Sequence, residues 1–171
     1  MWRITKWLLL CFVGIIICFV FLGCAFNGSN TRSQIAAVGN TIVEALETGN
    51  ADLLQSVLSK NALATEDLND GVQYCFDLFE GTSVEVIKLG CPEQDSFNAG
   101  IHIKQIDCSF IVKTDAEKTY YLFFILQTQN EQDNGCVGVN YIELQDNEEY
   151  LNIESYRRCG IYNPLWATKP A

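Results

Sequence analysis

Apolar residues recur at helical spacing in the first half of the chain and at alternate positions in the second. Within residues 33–48, Ile35, Val38, Ile42, Ala45 and Leu46 lie three and four apart, on one face of a helix. Gly49 ends that helix, because glycine accepts the left-handed backbone of a C-terminal cap. Asn50 then caps a second, short helix, with Asp52 in its first turn and Leu53, Leu54, Val57 and Leu58 on its apolar side. A third helix is expected over 66–80, where Leu68, Val72, Cys75, Phe76 and Phe79 share a face and Gly81 stops it.

Past Gly81 the period falls from 3.6 to 2. Residues 83–89 alternate through Val84 and Val86, and residues 90–98, with Cys91-Pro92, read as a loop. Ile101 and Ile103 alternate, then the phase slips to Ile106, Cys108, Phe110 and Val112. A slip of one residue turns every side chain to the other face unless a bulge absorbs it, so a bulge is expected near Gln105. A hairpin turn at 114–117, a strand over 119–128, a polar turn at 130–135, a strand over 136–144 and a last strand over 152–156 follow. Hairpin-length connections imply an antiparallel sheet, and helices grouped on one side of it make an α+β fold.

The strand over 119–128 carries apolar residues on both faces: Tyr121, Phe123 and Ile125 on one, Tyr120, Leu122, Phe124 and Leu126 on the other. A sheet open to water on one side alternates with polar residues. Something must therefore cover the second face. Two candidates are the tail over 160–166, with Ile161, Tyr162, Leu165 and Trp166, and a second copy of the chain.

The N-terminus reads as an address. Arg3 and Lys6 precede an uncharged apolar run over 7–22, which Gly23 and Cys24 close. A basic start, an apolar stretch and a small residue describe a secretory signal. Phe21-Leu22-Gly23-Cys24 resembles the lipobox of bacterial lipoproteins. That resemblance implies cleavage after Gly23 and a diacylglycerol on the Cys24 thiol. The alternative is an uncleaved membrane helix over 7–26, about the length a bilayer needs. Either way the domain is tethered outside the cytoplasm, at the outer face of the membrane. The expected division is a signal peptide over 1–23, the lipid-bearing Cys24 and a polar linker over 24–32, and a single domain over 33–171.

Hydrophobic residues form 49% of the 171-residue chain, enough to bury a core and exclude disorder. The formal charge is −10, from 11 basic and 21 acidic side chains, and all of the acids follow Cys24. Such a surface repels phosphate backbones, so nucleic acid is excluded as a partner.

The segment 42–54 (Ile-Val-Glu-Ala-Leu-Glu-Thr-Gly-Asn-Ala-Asp-Leu-Leu), followed by Leu58-Ser59-Lys60-Asn61-Ala62-Leu63, resembles the opening of nuclear transport factor 2-like domains. The resemblance implies a cone-shaped fold, with N-terminal helices packed on a curved antiparallel sheet. More narrowly, the chain resembles the lipoprotein family called domain of unknown function 5104. The points of likeness are the lipobox, the Ala-Leu-Glu-x-Gly turn, residues 63–80 with Asp77-Leu78-Phe79, the strand over 120–126, and Gly160-Ile161-Tyr162. That family implies no activity and no catalytic residue.

The candidate chemistry is sparse. Leaving aside Cys11, Cys18 and Cys24, five cysteines remain (Cys75, Cys91, Cys108, Cys136, Cys159) with no Cys-x-x-Cys pair, so no structural metal site is expected. Buried thiols and one or two disulfides both fit a secreted domain. His102, the single histidine, alternates with Ile101 and Ile103. Asp146-Asn147-Glu148-Glu149 gathers oxygen atoms but lacks a calcium-loop pattern. Cone-fold enzymes similar to ketosteroid isomerases set a carboxylate and a tyrosine in an apolar pocket, where the carboxyl pKa rises. Tyr74, Asp107, Tyr121 and Tyr141 are the residues here that such a pocket would use; Asp77 is placed toward water. No catalytic residue, metal or cofactor is assigned.

Two functions remain. One is a non-enzymatic, membrane-anchored surface domain that binds an envelope protein or a small ligand. The other is a cone-fold enzyme, isomerase- or hydrolase-like, acting on a small apolar substrate through a buried carboxylate and a tyrosine. An open apolar pocket with an acid at its floor would favour the enzyme.

Overall fold

The computed structural model of the protein describes residues 31–146 and 160–162, and side-chain surroundings as far as residue 146. The chain divides into two compact units, Met1–Ala37 and Val38–Ala171. Of the first, the described part is the helical stretch 31–37. Helix α1 covers residues 31–48, so Thr31 and Arg32 are helical rather than linker. Among the described residues no helix is long and apolar enough to cross a membrane. Gly23, Cys24 and the apolar run over 7–22 lie outside them.

Local signals set the helix ends. Gly49 adopts φ +61°, and Asn50 N donates back to Ala45 O at 3.0 Å, closing α1 with a six-to-one cap. The Asn50 side chain then accepts from Leu53 N at 3.0 Å and starts α2 (Ala51–Gln55). Helix α2 stops short of its apolar pattern because Leu58 leaves it to bridge Val139 in parallel. Ser59 opens α3 (Lys60–Leu63), its hydroxyl accepting from Ala62 N at 3.1 Å. Helix α4 (Leu68–Leu78) buries Leu68, Val72 and Cys75, whereas Phe76 is half-buried. Tyr120 ties the end of α4 to the sheet. Its hydroxyl donates to Leu78 O at 3.0 Å and accepts from Glu80 N at 2.9 Å, and Phe79 stacks on its ring at 4.9 Å. Burial above all raises the Tyr120 phenol pKa from its ordinary value.

One antiparallel sheet holds β1 (Ser83–Gly90), β2 (Glu93–Asn98), β3 (Ile101–Thr114), β4 (Thr119–Asn130), β5 (Gly138–Asp146) and β6 (Gly160–Tyr162). Their order is β1-β3-β4-β5-β6, with β2 beside the first half of β3. The fold is α+β, as the change of period implies. Strand β2 corrects the expected loop over 90–98. Its six residues are all exposed and carry no alternation, so no burial pattern announces it. It forms because the first half of β3 offers a backbone edge that β1 does not reach. Gly160–Tyr162 pairs along β5, so these three residues extend the sheet. The rest of the expected cover (163–166) and the expected strand over 152–156 lie outside the described residues.

Two register shifts matter for function. Lys104 faces Gln129 but Gln105 faces Gln127, which leaves Thr128 as an extra residue, where the phase slip places a bulge. Ile125 faces Tyr141 but Leu126 faces Val139, which leaves Asn140 extra. Around each bulge consecutive residues are buried: Gln105 with Ile106, Leu126 with Gln127, Val139 with Asn140. A bulge re-aims side chains in this way.

The core lies on the helix-facing side of the sheet. Val112, Leu122, Phe124, Ile142 and Leu144 are fully buried there. The Phe110 and Phe124 rings stack at 5.6 Å, and a Cβ on Gly39 of α1 would stand 3.7 Å from Phe110 Cζ. On the opposite face Tyr121, Phe123 and Ile125 are half-buried, while Glu143 and Gln145 of β5 are buried.

Candidate functional site

The β3–β4 bulge, the end of β4 and the segment after it enclose an open cavity of about 650 Å³, within the ordinary range for small-molecule sites. Ile103 and Gln105 of β3, Gln127 and Asn130 at the end of β4, Gln132 and Asp133 of the turn, and Cys136 line it. The β3–β4 bulge sets Gln105 opposite Gln127, and both are buried.

Hydrogen bonds fix the wall. Asn130 Nδ2 donates to Gln127 Oε1 at 3.0 Å, while Asn130 Oδ1 accepts from Gln132 N at 3.0 Å and Asp133 N at 2.9 Å. The Asp133 carboxylate accepts from Asn61 Nδ2 at 2.7 Å, Gly135 N at 2.8 Å and Cys136 Sγ at 3.5 Å. The Asn61 bond, then the Gly135 N–H, then Cys136 hold the Asp133 pKa below the ordinary carboxylate value, so it is ionised at neutral pH. Its second role is structural: it caps the 3-10 turn Asn134–Cys136.

Behind the wall lies a buried hub. Ser59 Oγ donates to Asn140 Oδ1 at 2.7 Å, and Asn140 Nδ2 donates to Cys136 O at 2.6 Å. Ser59 and Asn140 are both fully buried. Ser59 N donates to Val139 O at 2.8 Å and Val139 N to Val57 O at 2.9 Å, clamping the start of α3 to β5. Gly138 (φ +122°) permits that approach, since a Cβ there would stand 2.9 Å from Ser59 Cα and Ser59 N.

The residues singled out from sequence do not line the cavity, though Asp107 is bonded to Gln105 of its wall. Asp107, Tyr121 and Tyr141 share the sheet face opposite the helices. Asp107 lies in one row with Ile125 and Tyr141, and Tyr121 lies four residues away along β4 on the same face. Tyr74 is on α4 and does not join them. Asp107 is half-buried and accepts from Gln94 Nε2 at 2.9 Å and Gln105 Nε2 at 2.7 Å. Tyr121 Oη pairs with Ser109 Oγ at 3.1 Å. The Tyr141 hydroxyl donates to the buried Glu143 carboxylate, which Gln145 Nε2 also approaches. Gln145 Oε1 is buried with no hydrogen-bond partner. His102 sits outside this group, its Nε2 2.5 Å from Asp95 Oδ1, and that bond foremost lowers the Asp95 pKa. Among the described residues no group of three or more His, Cys, Asp or Glu is placed to hold a metal ion. Sequence reading missed the cavity because its lining looks like solubilising loop. The usable signal was Gln105 at the phase slip, with Gln127, Asn130 and Gln132 close together at the end of the next strand.

The profile of one protein family, described as Domain of unknown function (DUF5104), matches residues 41–151. The chain belongs to the DUF5104 family. The match takes in α2 to β5, the cavity wall and the hub, so the DUF5104 span contains the whole candidate site. Gly23, Cys24 and β6 lie outside the DUF5104 span. No curated protein matches the chain.

Proposed function

We propose that the protein is an extracytoplasmic domain, held at the outer face of the membrane by a lipid on Cys24 after cleavage behind Gly23. We propose too that it binds a small polar ligand rather than transforming one. The binding reading rests on one observation: four side-chain amides line the cavity beside a single carboxylate. Amides offer donors and acceptors together. That wall suits a neutral ligand rich in hydroxyl and amide groups, of which an N-acetylated sugar is a simple case. Asp133, with the net charge of −10, disfavours an anion.

Parts for catalysis are not assembled in the wall. Asp133 already holds three donors, and its lowered pKa makes it a weak general base. The Cys136 thiol is engaged as a donor to it. Asp107, the carboxylate that a cone-fold enzyme would use, does not line the cavity. The anchoring reading is supported by the basic start, the apolar run and the Gly23-Cys24 pair. A cone of the nuclear transport factor 2-like kind belongs to the same proposal. It is supported by two bulges that bend a long antiparallel sheet and by helices on its core side.

Calorimetric titration of the full chain in mild detergent with N,N′-diacetylchitobiose tests the binding reading. The expected dissociation constant is about 0.1–1 mM, the range of a few neutral hydrogen bonds. Gln105→Leu with Gln132→Ala should weaken it roughly tenfold, about 1.4 kcal/mol. Equal binding by that variant, no binding by either protein, or tighter binding of inorganic phosphate would overturn the reading.

A further inference from the structure

Strands β1 and β2 form one interrupted edge along β3. Gly90 faces Ser109 at the end of the first ladder, and Glu93 faces Ile106 at the start of the second. The two residues between them face the two residues between their partners. Cys91 therefore lies opposite Cys108, and Pro92 opposite Asp107. Asp107 N donates to Pro92 O at 3.1 Å, which makes Pro92–Asp107 a pair of the hydrogen-bonded kind. Pairs alternate along an antiparallel ladder, so Cys91–Cys108 is of the other kind, whose Cα atoms stand about 4.5 Å apart with side chains on one face. A disulfide spans Cα separations of about 4.4–6.8 Å.

We infer that Cys91 and Cys108 are a redox pair that closes a cross-strand disulfide between the β1–β2 edge and β3. Both are thiols in the structure, Cys108 fully buried and Cys91 half-buried. Access therefore gives Cys91 the first step. Burial above all, then hydrogen bonding to Cys91, pushes the Cys108 pKa well above its ordinary value, so Cys108 stays a protonated thiol and does not make the first attack. The co-reactant is a low-molecular-weight disulfide. The Cys91 thiolate attacks one of its sulfurs, its S–S bond breaks, and one small thiolate leaves. Cys108 gives up its proton and attacks Cys91 Sγ, the mixed disulfide breaks, and the second small thiolate leaves. Two protein thiols are oxidised, one small disulfide is reduced to two thiols, and the two protons pass to those thiols.

The link would secure the weakest stretch of this edge. Pro92 has no N–H to give to the ladder, and the register shifts between Lys88 and Gly90. Strand β1 also exposes Val84, Val86, Ile87 and Leu89, and β2 exposes Phe97, so an edge that opened would present apolar strand to other chains.

The test uses the full chain in mild detergent, treated with oxidised glutathione, then denatured, alkylated and digested with trypsin. Cleavage after Lys88, Lys104 and Lys113 puts Cys91 on peptide 89–104 and Cys108 on peptide 105–113. The expected product is these two peptides joined, about 2 Da lighter than their sum, and separated by reductant. Cys136→Ser should leave the joined product intact, and Cys91→Ser should remove it. Recovery of both peptides singly alkylated, glutathione on each without a link, or Cys108 joined to another cysteine would overturn the inference.

Discussion

Asn140→Ala probes the hub that holds the cavity wall. The substitution leaves the Ser59 hydroxyl without its acceptor and the Cys136 carbonyl without its donor, from bonds of 2.7 and 2.6 Å. Ser59 and Asn140 are fully buried. An unsatisfied buried polar group costs about 1–3 kcal/mol, so two cost about 2–6 kcal/mol and roughly 3 kcal/mol once some water enters. With a urea slope of about 2 kcal/mol/M, the midpoint should fall by about 1.5 M. Ser59→Ala removes the same bond to Asn140 and also the cap on Ala62 N. It should cost about 2 kcal/mol. Because the two share one bond, the double variant should fall short of the sum by about 1 kcal/mol. Urea unfolding of the full chain in mild detergent, followed by far-UV circular dichroism, gives all four corners of the cycle. An Asn140→Ala midpoint within about 0.3 M of the parent, or strictly additive losses, would refute the hub.

Three further outcomes follow from the geometry. Gly138→Ala forces a Cβ to 2.9 Å from Ser59 backbone at φ +122°, and should cost about 2–3 kcal/mol by the same unfolding assay. The Asp133 pKa is lower folded than unfolded, so its contribution is complete above the unfolded value and disappears as pH falls through the folded one. Asp133→Asn should therefore lower thermal stability at neutral pH, and the gap to the parent should begin to close only below about pH 4 and vanish once the pH is under the lowered folded value. On the anchoring reading, Cys24→Ala should abolish incorporation of an alkyne-tagged fatty acid, read by in-gel fluorescence, with Cys75→Ala still labelled.

Much of the fold is legible because its signals are local. Gly49 and Asn50 announce the end of α1 and the start of α2 in adjacent positions. The jump from Ile103 to Ile106 announces the β3–β4 bulge. Ser59 before Lys-Asn-Ala-Leu was a legible cap for α3, masked by the apolar run through Val57 and Leu58 that suggested a longer α2. Strand β2 was not legible, because an exposed edge strand takes its order from β3 rather than from any pattern of its own. The cavity was not legible either. Its amides come from β3, the end of β4 and the turn between β4 and β5, and Gln105 faces Gln127 only because Thr128 is an extra residue in the ladder. Asp107, Tyr121 and Tyr141 fall on one sheet face, and Tyr74 stands apart on α4. That face is a net of paired polar groups: Tyr121 with Ser109, Tyr141 with Glu143, and Asp107 with two glutamines.

Side-chain amide protons make the central claim directly observable. In a ¹⁵N–¹H correlation spectrum of the full chain in detergent, Gln105, Gln127, Asn130 and Gln132 each give a pair of NH₂ signals at the cavity wall. Titration with N,N′-diacetylchitobiose should move these pairs together, with the Asp133 and Cys136 backbone amides following and the Gln73 and Gln145 pairs still. An unchanged wall, or movement confined to Tyr121, Phe123, Tyr141 and Gln145 on the opposite sheet face, would contradict the account.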